Sequence, residues 1–144
     1  MIAVDTNILV YSHRRDSPWF QLADQHVRTL VQGAHPWALP WPCVHEFFGI
    51  VTHARVYAPP STIDEAIGQI QVWLRSPSVV MLHETPMYWD HLRDQLRRGQ
   101  IQGPRVHDAK VAALCTMYEV SELWSADRDF NRFPGLRVRN PLVS

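Results

Sequence analysis

The chain has 144 residues, a length that fits one compact domain, residues 1–144, with a single sizeable core. Hydrophobic residues make up 46%, charged residues 19% and the formal net charge is zero, as expected of a globular, soluble chain with no bulk positive field to announce a nucleic-acid binder. No apolar run approaches the ~18–20 residues of a membrane span, and Asp5, Thr6 and Asn7 interrupt the first ten residues with no basic stretch ahead of them, which argues against a signal peptide.

Residues 2–4 read as a short buried strand that carries Asp5 to its C-terminal end. Residues 7–13 read as a first turn or two of helix. Ser17 and Pro18 form a helix-start signal, and Phe20, Ala23, Val27, Leu30 and Val31 keep helical spacing up to Gly33. Trp37–Pro40 reads as a strand. Trp41 and Pro42 open a helix with Val44, Phe47, Phe48 and Val51 on its apolar face and Glu46 off it. Thr62 and Glu65 match a capping box, ahead of the stripe Ile63, Ala66, Ile67, Ile70, Trp73 and Leu74.

Val79–Leu82 is a β-branched apolar run that predicts a central parallel strand. A helix through Tyr88, Leu92 and Leu96 follows, then a loop from Gly99 to Pro104 and a helix from His107 to Tyr118. Leu123–Ser125 reads as a strand leading to Asp127, and Leu136–Val138 as a last edge strand. Strands alternate with helices, which predicts a parallel α/β sheet with helices on both faces. The six tryptophans are expected in the core or at an interface. Cys43 and Cys115 fit no close metal or redox spacing and read as buried thiols in a reducing cytoplasm.

Four acids stand where such a sheet gathers its ligands, beyond the carboxyl ends of the strands. Asp5 and Asp127 follow strands, Asp108 lies in the first turn of a helix and Glu46 in the second turn of another. Each also has an ordinary structural role. Asp5 could cap the next helix, Asp108 could answer a helix dipole, Asp127 could form an Asx-turn and Glu46 could be solvated. Together they carry a cost that one acid does not. Two unit charges 4 Å apart repel by about 4 kcal/mol at an effective dielectric of 20, against a folding margin of about 5–15 kcal/mol. If the four converge, protonation or a cation must relieve them, and an all-oxygen set suits Mg²⁺ or Mn²⁺. His45 and His107 each precede one of these acids and read as polar walls or as ligands.

The ordered set Val4-Asp5-Thr6-Asn7-Ile8-Leu9, Glu46-Phe47, Val106-His107-Asp108-Ala109 and Ser125-Ala126-Asp127-Arg128-Asp129-Phe130 resembles the PIN-domain ribonucleases, and within them the VapC toxins of bacterial type II toxin–antitoxin modules. The resemblance covers essentially the whole chain. It implies an α/β/α sandwich with a central, mostly parallel sheet of four to five strands. It implies an Mg²⁺-dependent endoribonuclease, with Mn²⁺ able to substitute, that hydrolyses phosphodiester bonds in tRNA or rRNA through a metal-activated water to leave a 5′-phosphate and a 3′-hydroxyl. By position it assigns the metal and catalysis to Asp5, Glu46, Asp108 and Asp127, with Asp129 as a further acid and Thr6, Asn7 and Ser125 as supports. It also implies a homodimer and a VapB-type antitoxin that covers or enters the site.

Of the 14 basic residues only Lys110 is lysine, and arginine forks phosphate oxygens better than lysine does. Arg14, Arg105 and Arg128 are therefore the expected phosphate contacts at the rim, with Trp19 or Trp41 as stacking surfaces for unpaired bases. A phosphatase of the strand-end-aspartate type needs a second acid where Asn7 stands, and a receiver-type domain needs a lysine on a late strand, whereas Lys110 falls on a helix. A housekeeping nuclease and a catalytically silent binding module of the same fold remain as alternatives.

Overall fold

The computed structural model describes residues 1–143. Five strands, β1 (Ile2–Val4), β2 (Trp37–Pro40), β3 (Val79–Leu82), β4 (Glu122–Trp124) and β5 (Val138–Arg139), form one sheet in the order β3-β2-β1-β4-β5. Every pairing is parallel, with Ala3 opposite Ala38 on one side and Leu123 on the other. Six helices complete the fold: α1 (Thr6–His13), α2 (Phe20–Gln32), α3 (Trp41–Val51), α4 (Ile63–Leu74), α5 (Tyr88–Arg98) and α6 (Val106–Met117). None of them is long and apolar enough to cross a membrane.

The strand order positions the site. From β1 the chain lays β2 and β3 on one side, then crosses to lay β4 and β5 on the other. The order reverses between β1 and β4, and parallel sheets open a crevice at the carboxyl ends of such a strand pair. Asp5 follows β1 and its N–H donates to the Trp124 carbonyl of β4 at 2.9 Å. The crevice therefore begins at the first acid of the chain.

The core explains why these elements hold. Ala3, Val4, Ile8, Leu9, Trp37, Leu39, Phe47 and Leu123 are fully buried. Phe47 of α3 meets Trp73 of α4 edge to face, with centroids 4.7 Å apart. Buried Trp37 needs a partner for its indole N–H and donates it to Ser76 Oγ at 3.0 Å. Trp37, Trp73 and Trp124 are buried, whereas Trp19 and Trp89 are exposed.

Several boundaries differ from the sequence reading. β3 lies at the sheet edge, paired only with β2, and only Leu82 of it is fully buried. An apolar run reports cover on a strand's faces and says nothing of how many neighbours it pairs with. Helix α2 starts at Phe20, because Ser17 Oγ accepts the Trp19 N–H at 3.1 Å and caps a turn ahead of the helix. Gly33 ends that helix as expected but at an extended φ of −76°. A Cβ there would meet the Thr29 carbonyl at 2.8 Å, so close approach, not backbone handedness, calls for glycine.

Helix α4 begins with the expected capping box of Thr62 and Glu65. Its apolar stripe divides, however. Ala66 and Trp73 lie on the edge that faces the core and are buried. Ile63, Ile67 and Leu74 fall about 60–120° further round the helix, and they are 63%, 41% and 37% exposed. Helical spacing marks which residues share a face; it does not say that the same chain covers all of it.

Candidate active site

Asp5 occupies the N-cap position of α1, yet its side chain makes no capping hydrogen bond. Both carboxylate oxygens are held from other elements. Ser125 Oγ donates to Oδ2 at 2.7 Å, and the Cys43 thiol of α3 donates to Oδ1 at 3.6 Å. Burial and the Asp5 carboxylate push the Cys43 thiol well above its usual range, so it keeps the proton it donates. The residue is only 6% exposed, so its orientation is set by these donors and not by solvent.

Asn7 and Ser125 bind the ends of β1 and β4 into one frame. Asn7 Oδ1 accepts the Ala126 N–H at 3.1 Å, and its Nδ2 donates to Ser125 Oγ at 3.4 Å. Ser125 Oγ in turn accepts the Asp127 N–H at 3.0 Å. One hydroxyl thus links the first acid to the backbone of the fourth. Asp127 Oδ1 accepts the Asp129 N–H at 2.8 Å, which is the Asx-type cap of the 3-10 turn at residues 128–132. The Thr6 N–H favours the ionised form of Asp5.

Asp5, Glu46 and Asp108 line a cleft of about 620 Å³, and Asp127 is not among its lining residues. Asp108 stands half-buried in the first turn of α6, and Glu46 is exposed on α3. Burial, opposed by Ser125 and Thr6 but reinforced by Glu46 and Asp108, pushes the Asp5 carboxyl up to about 6. The Asp108 carboxyl is also raised, by burial first and then by Asp127, Glu46 and Asp129, with Arg105 opposing. Asp5 thus feels Glu46 and Asp108, and Asp108 feels Glu46 and Asp127. Among the described residues no three acidic, histidine or cysteine side chains are placed so as to hold a metal ion together. The acids offer oxygen donors, the type that Mg²⁺ takes, whereas Zn²⁺ favours nitrogen and sulfur.

The cleft walls carry polar and aromatic groups. Trp41 stacks on His45 with centroids 5.9 Å apart, and His83, His107 and Lys110 also line the cavity. The sequence reading assigned no role to Cys43 or Lys110. A thiol one turn ahead of Phe47 reads as core, and nothing in the linear pattern shows that it faces Asp5.

Of the expected rim arginines, Arg105 is at the site, 3.6 Å from Asp129 and acting on Asp108. Arg128 directly follows Asp127 and is exposed. Arg14 is elsewhere. It lies just past the C-terminal end of α1, whereas Asp5 sits at its start, and its groove shares no lining residue with the acidic cleft. There its guanidinium donates to Asp16 at 2.6 and 2.9 Å, to the Pro59 carbonyl at 2.9 Å and to Ser61 Oγ at 3.3 Å. It also packs over the Tyr57 ring, 4.2 Å from the centroid. Arg14 staples the loop before α4 to the end of α1. Trp19 likewise does not line the cleft.

No family model matches the chain. Ribonuclease VapC43 of Mycobacterium tuberculosis is 32% identical over 145 residues, covering 99% of this chain and 96% of that protein. The chain belongs to the VapC ribonuclease family. Ribonuclease VapC33 of the same organism is 32% identical over 149 residues, covering 99% of both chains. The fold agrees with solved VapC structures. Mycobacterium tuberculosis VapC20, described as a sarcin–ricin loop cleaving toxin, superposes with a TM-score of 0.69 at 15% identity, over 95% of this chain and 99% of that one. VapBC2 from Rickettsia felis, solved bound to a DNA fragment from its promoter, gives 0.65 at 20% identity over 97% and 98%. The five-stranded parallel sheet between helices is the PIN-like α/β/α architecture of this VapC family.

Two outcomes follow from the geometry. Asp5 has a higher pKa folded than the ordinary 3.8, so its ionisation opposes folding fully above pH about 6, progressively less as pH falls, and not below about 4. A shift of about 2 units corresponds to roughly 3 kcal/mol. Metal-free Asp5→Asn is therefore more stable than wild type at pH 7.5, and the two converge near pH 4; thermal melts in EDTA across that range measure the gap, and a pH-independent gap contradicts the assignment. Arg14→Ala lowers stability by about 2 kcal/mol in urea unfolding, from its charged hydrogen bonds and ring contact, and leaves the affinity for RNA unchanged.

Proposed function

We propose that this chain is the toxin of a VapBC-type toxin–antitoxin pair, an Mg²⁺-dependent endoribonuclease that hydrolyses tRNA or rRNA and so arrests translation and growth. The observation that carries the reading is the treatment of Asp5. A carboxylate at a helix N-cap that leaves the cap unmade, and is instead gripped through both oxygens at the β1/β4 crevice, is prepared for something other than holding the helix. Family membership supplies the reaction class.

In this reading Asp5, Glu46, Asp108 and Asp127 hold the ion, with Asp129 free to approach or to remain with Arg105. Mn²⁺ serves in place of Mg²⁺. The ion, when bound, would neutralise the acids, stabilise charge on the phosphoryl oxygens and acidify a water for in-line attack. Ser125 and Cys43 keep Asp5 aimed into the cleft, and Asn7 keeps the β4 loop, and with it Asp127, in register. Arg105 and Arg128 at the rim meet flanking phosphates, and Trp41 on its His45 support offers an unpaired base a stacking face. The product ends are a 5′-phosphate and a 3′-hydroxyl.

Partners follow the same reasoning. The Rickettsia felis and Salmonella typhimurium neighbours are VapBC complexes bound to DNA. For this chain we infer a cognate VapB-type antitoxin that covers or enters the cleft, within a hetero-oligomer. The exposed edge of α4 supports the homodimer, because Ile63, Ile67 and Leu74 form one apolar stripe that the chain itself leaves open. A cytoplasmic setting fits the two buried, unpaired cysteines.

Purified Asp5→Asn is expected to stay folded and to lose at least about 100-fold in RNA cleavage, more than the ~10–100-fold of losing an outer partner of a metal ligand. EDTA stops the wild type and Mn²⁺ or Mg²⁺ restores it; cleavage indifferent to both treatments contradicts the metal-nuclease reading. Ile67→Glu is expected to convert a sedimenting dimer to a monomer while changing monomer stability by no more than ~0.5 kcal/mol, as surface changes do. A dimer that persists places the interface elsewhere.

A further inference from the structure

We propose that Lys110 binds a phosphate flanking the scissile one, and is the cation that admits the RNA backbone to an otherwise acidic cleft. The inference rests on the nuclease reading above and adds a residue that reading does not use.

Lys110 is the single lysine of the chain, and it is the only lysine or arginine that lines the acidic cleft. Among the described residues no carboxylate lies within 4.0 Å of it, so its ammonium is not spent on an ion pair, unlike Arg14 on Asp16. Glu84, which also lines the cavity, is exposed and leaves it unpaired.

The helix geometry separates the two signs of charge. His107, Val111 and Leu114 follow helical spacing and form the stripe of α6 that faces the cleft. At 100° per residue, Asp108 falls on one side of that stripe and Lys110 on the other, about 160° apart around the axis. Asp108 faces the side whose field includes Asp127 and Glu46. Lys110 falls on the opposite flank of the stripe, and the β3 end of the cavity is bordered by Leu82, His83 and Glu84. With side chains a helix is about 10–12 Å across, so a phosphate held by Lys110 is a neighbour of the one at the acids and not the same group.

A polyanion entering among Asp5, Glu46 and Asp108 is repelled unless positive charge meets it. An ion at the acids answers the scissile phosphate; the next phosphate needs its own. Lysine suits that place, because its compact ammonium on a flexible stem reaches a single oxygen without the planar fork that would also seek a carboxylate.

The test compares wild type, Lys110→Gln and Lys110→Arg on a single-stranded RNA containing one cleavage site, with Asp5→Asn as control. Initial rates are measured against RNA concentration at several NaCl concentrations with Mg²⁺ fixed. Lys110→Gln is expected to raise KM roughly 10-fold, as one lost charged hydrogen bond does, with kcat changed less than KM. Its log(kcat/KM) against log[NaCl] is expected to flatten by about 0.7, the value for one contact to a single strand. Lys110→Arg keeps the wild-type slope. A Lys110→Gln variant with wild-type KM and salt slope, or with a lower kcat alone, overturns the proposal and leaves Lys110 a solvated helix residue. If Asp5→Asn cuts as well as wild type, the nuclease reading fails first, which separates the two claims.

Discussion

The burial of carboxylates at one sheet crevice, reinforced by their mutual repulsion, is the constraint around which this molecule is arranged. Asp5 and Asp108 are both raised by burial and by neighbouring acids, and Glu46 acts on each of them. A fold under no functional demand has cheaper ways to end a strand and start a helix. Here the acids are brought close enough to disturb one another. The strain is shared between an interior position that Ser125 and Cys43 stabilise and exposed positions that water screens.

The same constraint explains the polar frame behind the acids. Ser125 is buried, and its hydroxyl serves Asp5, Asp127 and Asn7 together. Such a network gains most where the dielectric is low and every member has a partner. It couples the β1 and β4 ends across 120 residues of chain and fixes the crevice that the strand-order reversal opens. The VapC family places ribonuclease chemistry on this fold; in this chain the frame ties Asp5 and Asp127 to the two strands that define the crevice.

Much of this was legible in the linear chain. An apolar triplet ending in Asp5, a second strand leading to Asp127 and two helix starts carrying Glu46 and Asp108 obey local rules, and topology only had to bring their ends together. What failed needed three-dimensional information. Arg14 is eight residues beyond Thr6 along a helix, so it lies at the other end of α1, where it serves as a staple. Cys43 was read correctly as a buried thiol, but its contact with Asp5, 38 residues away in sequence, is invisible in the linear pattern. Val79–Leu82 had the composition of a central strand, but its edge position is decided by where the chain crosses over. The α4 stripe was legible as apolar, but spacing defines a face without naming its partner, and Ile63, Ile67 and Leu74 are exposed.

A cation shared by the acids around Asp5, as proposed, would displace protons on binding, and calorimetry reads them. If Asp5 is half protonated near pH 6, metal must displace that proton on binding. Titrating Mn²⁺ into the protein in buffers of different ionisation heat gives the number of protons released. Release is expected near pH 6, falls toward zero by pH 8 and is smaller in Asp5→Asn. Wild-type protein that binds no Mn²⁺, or that releases the same number of protons with and without Asp5, contradicts the shared cation.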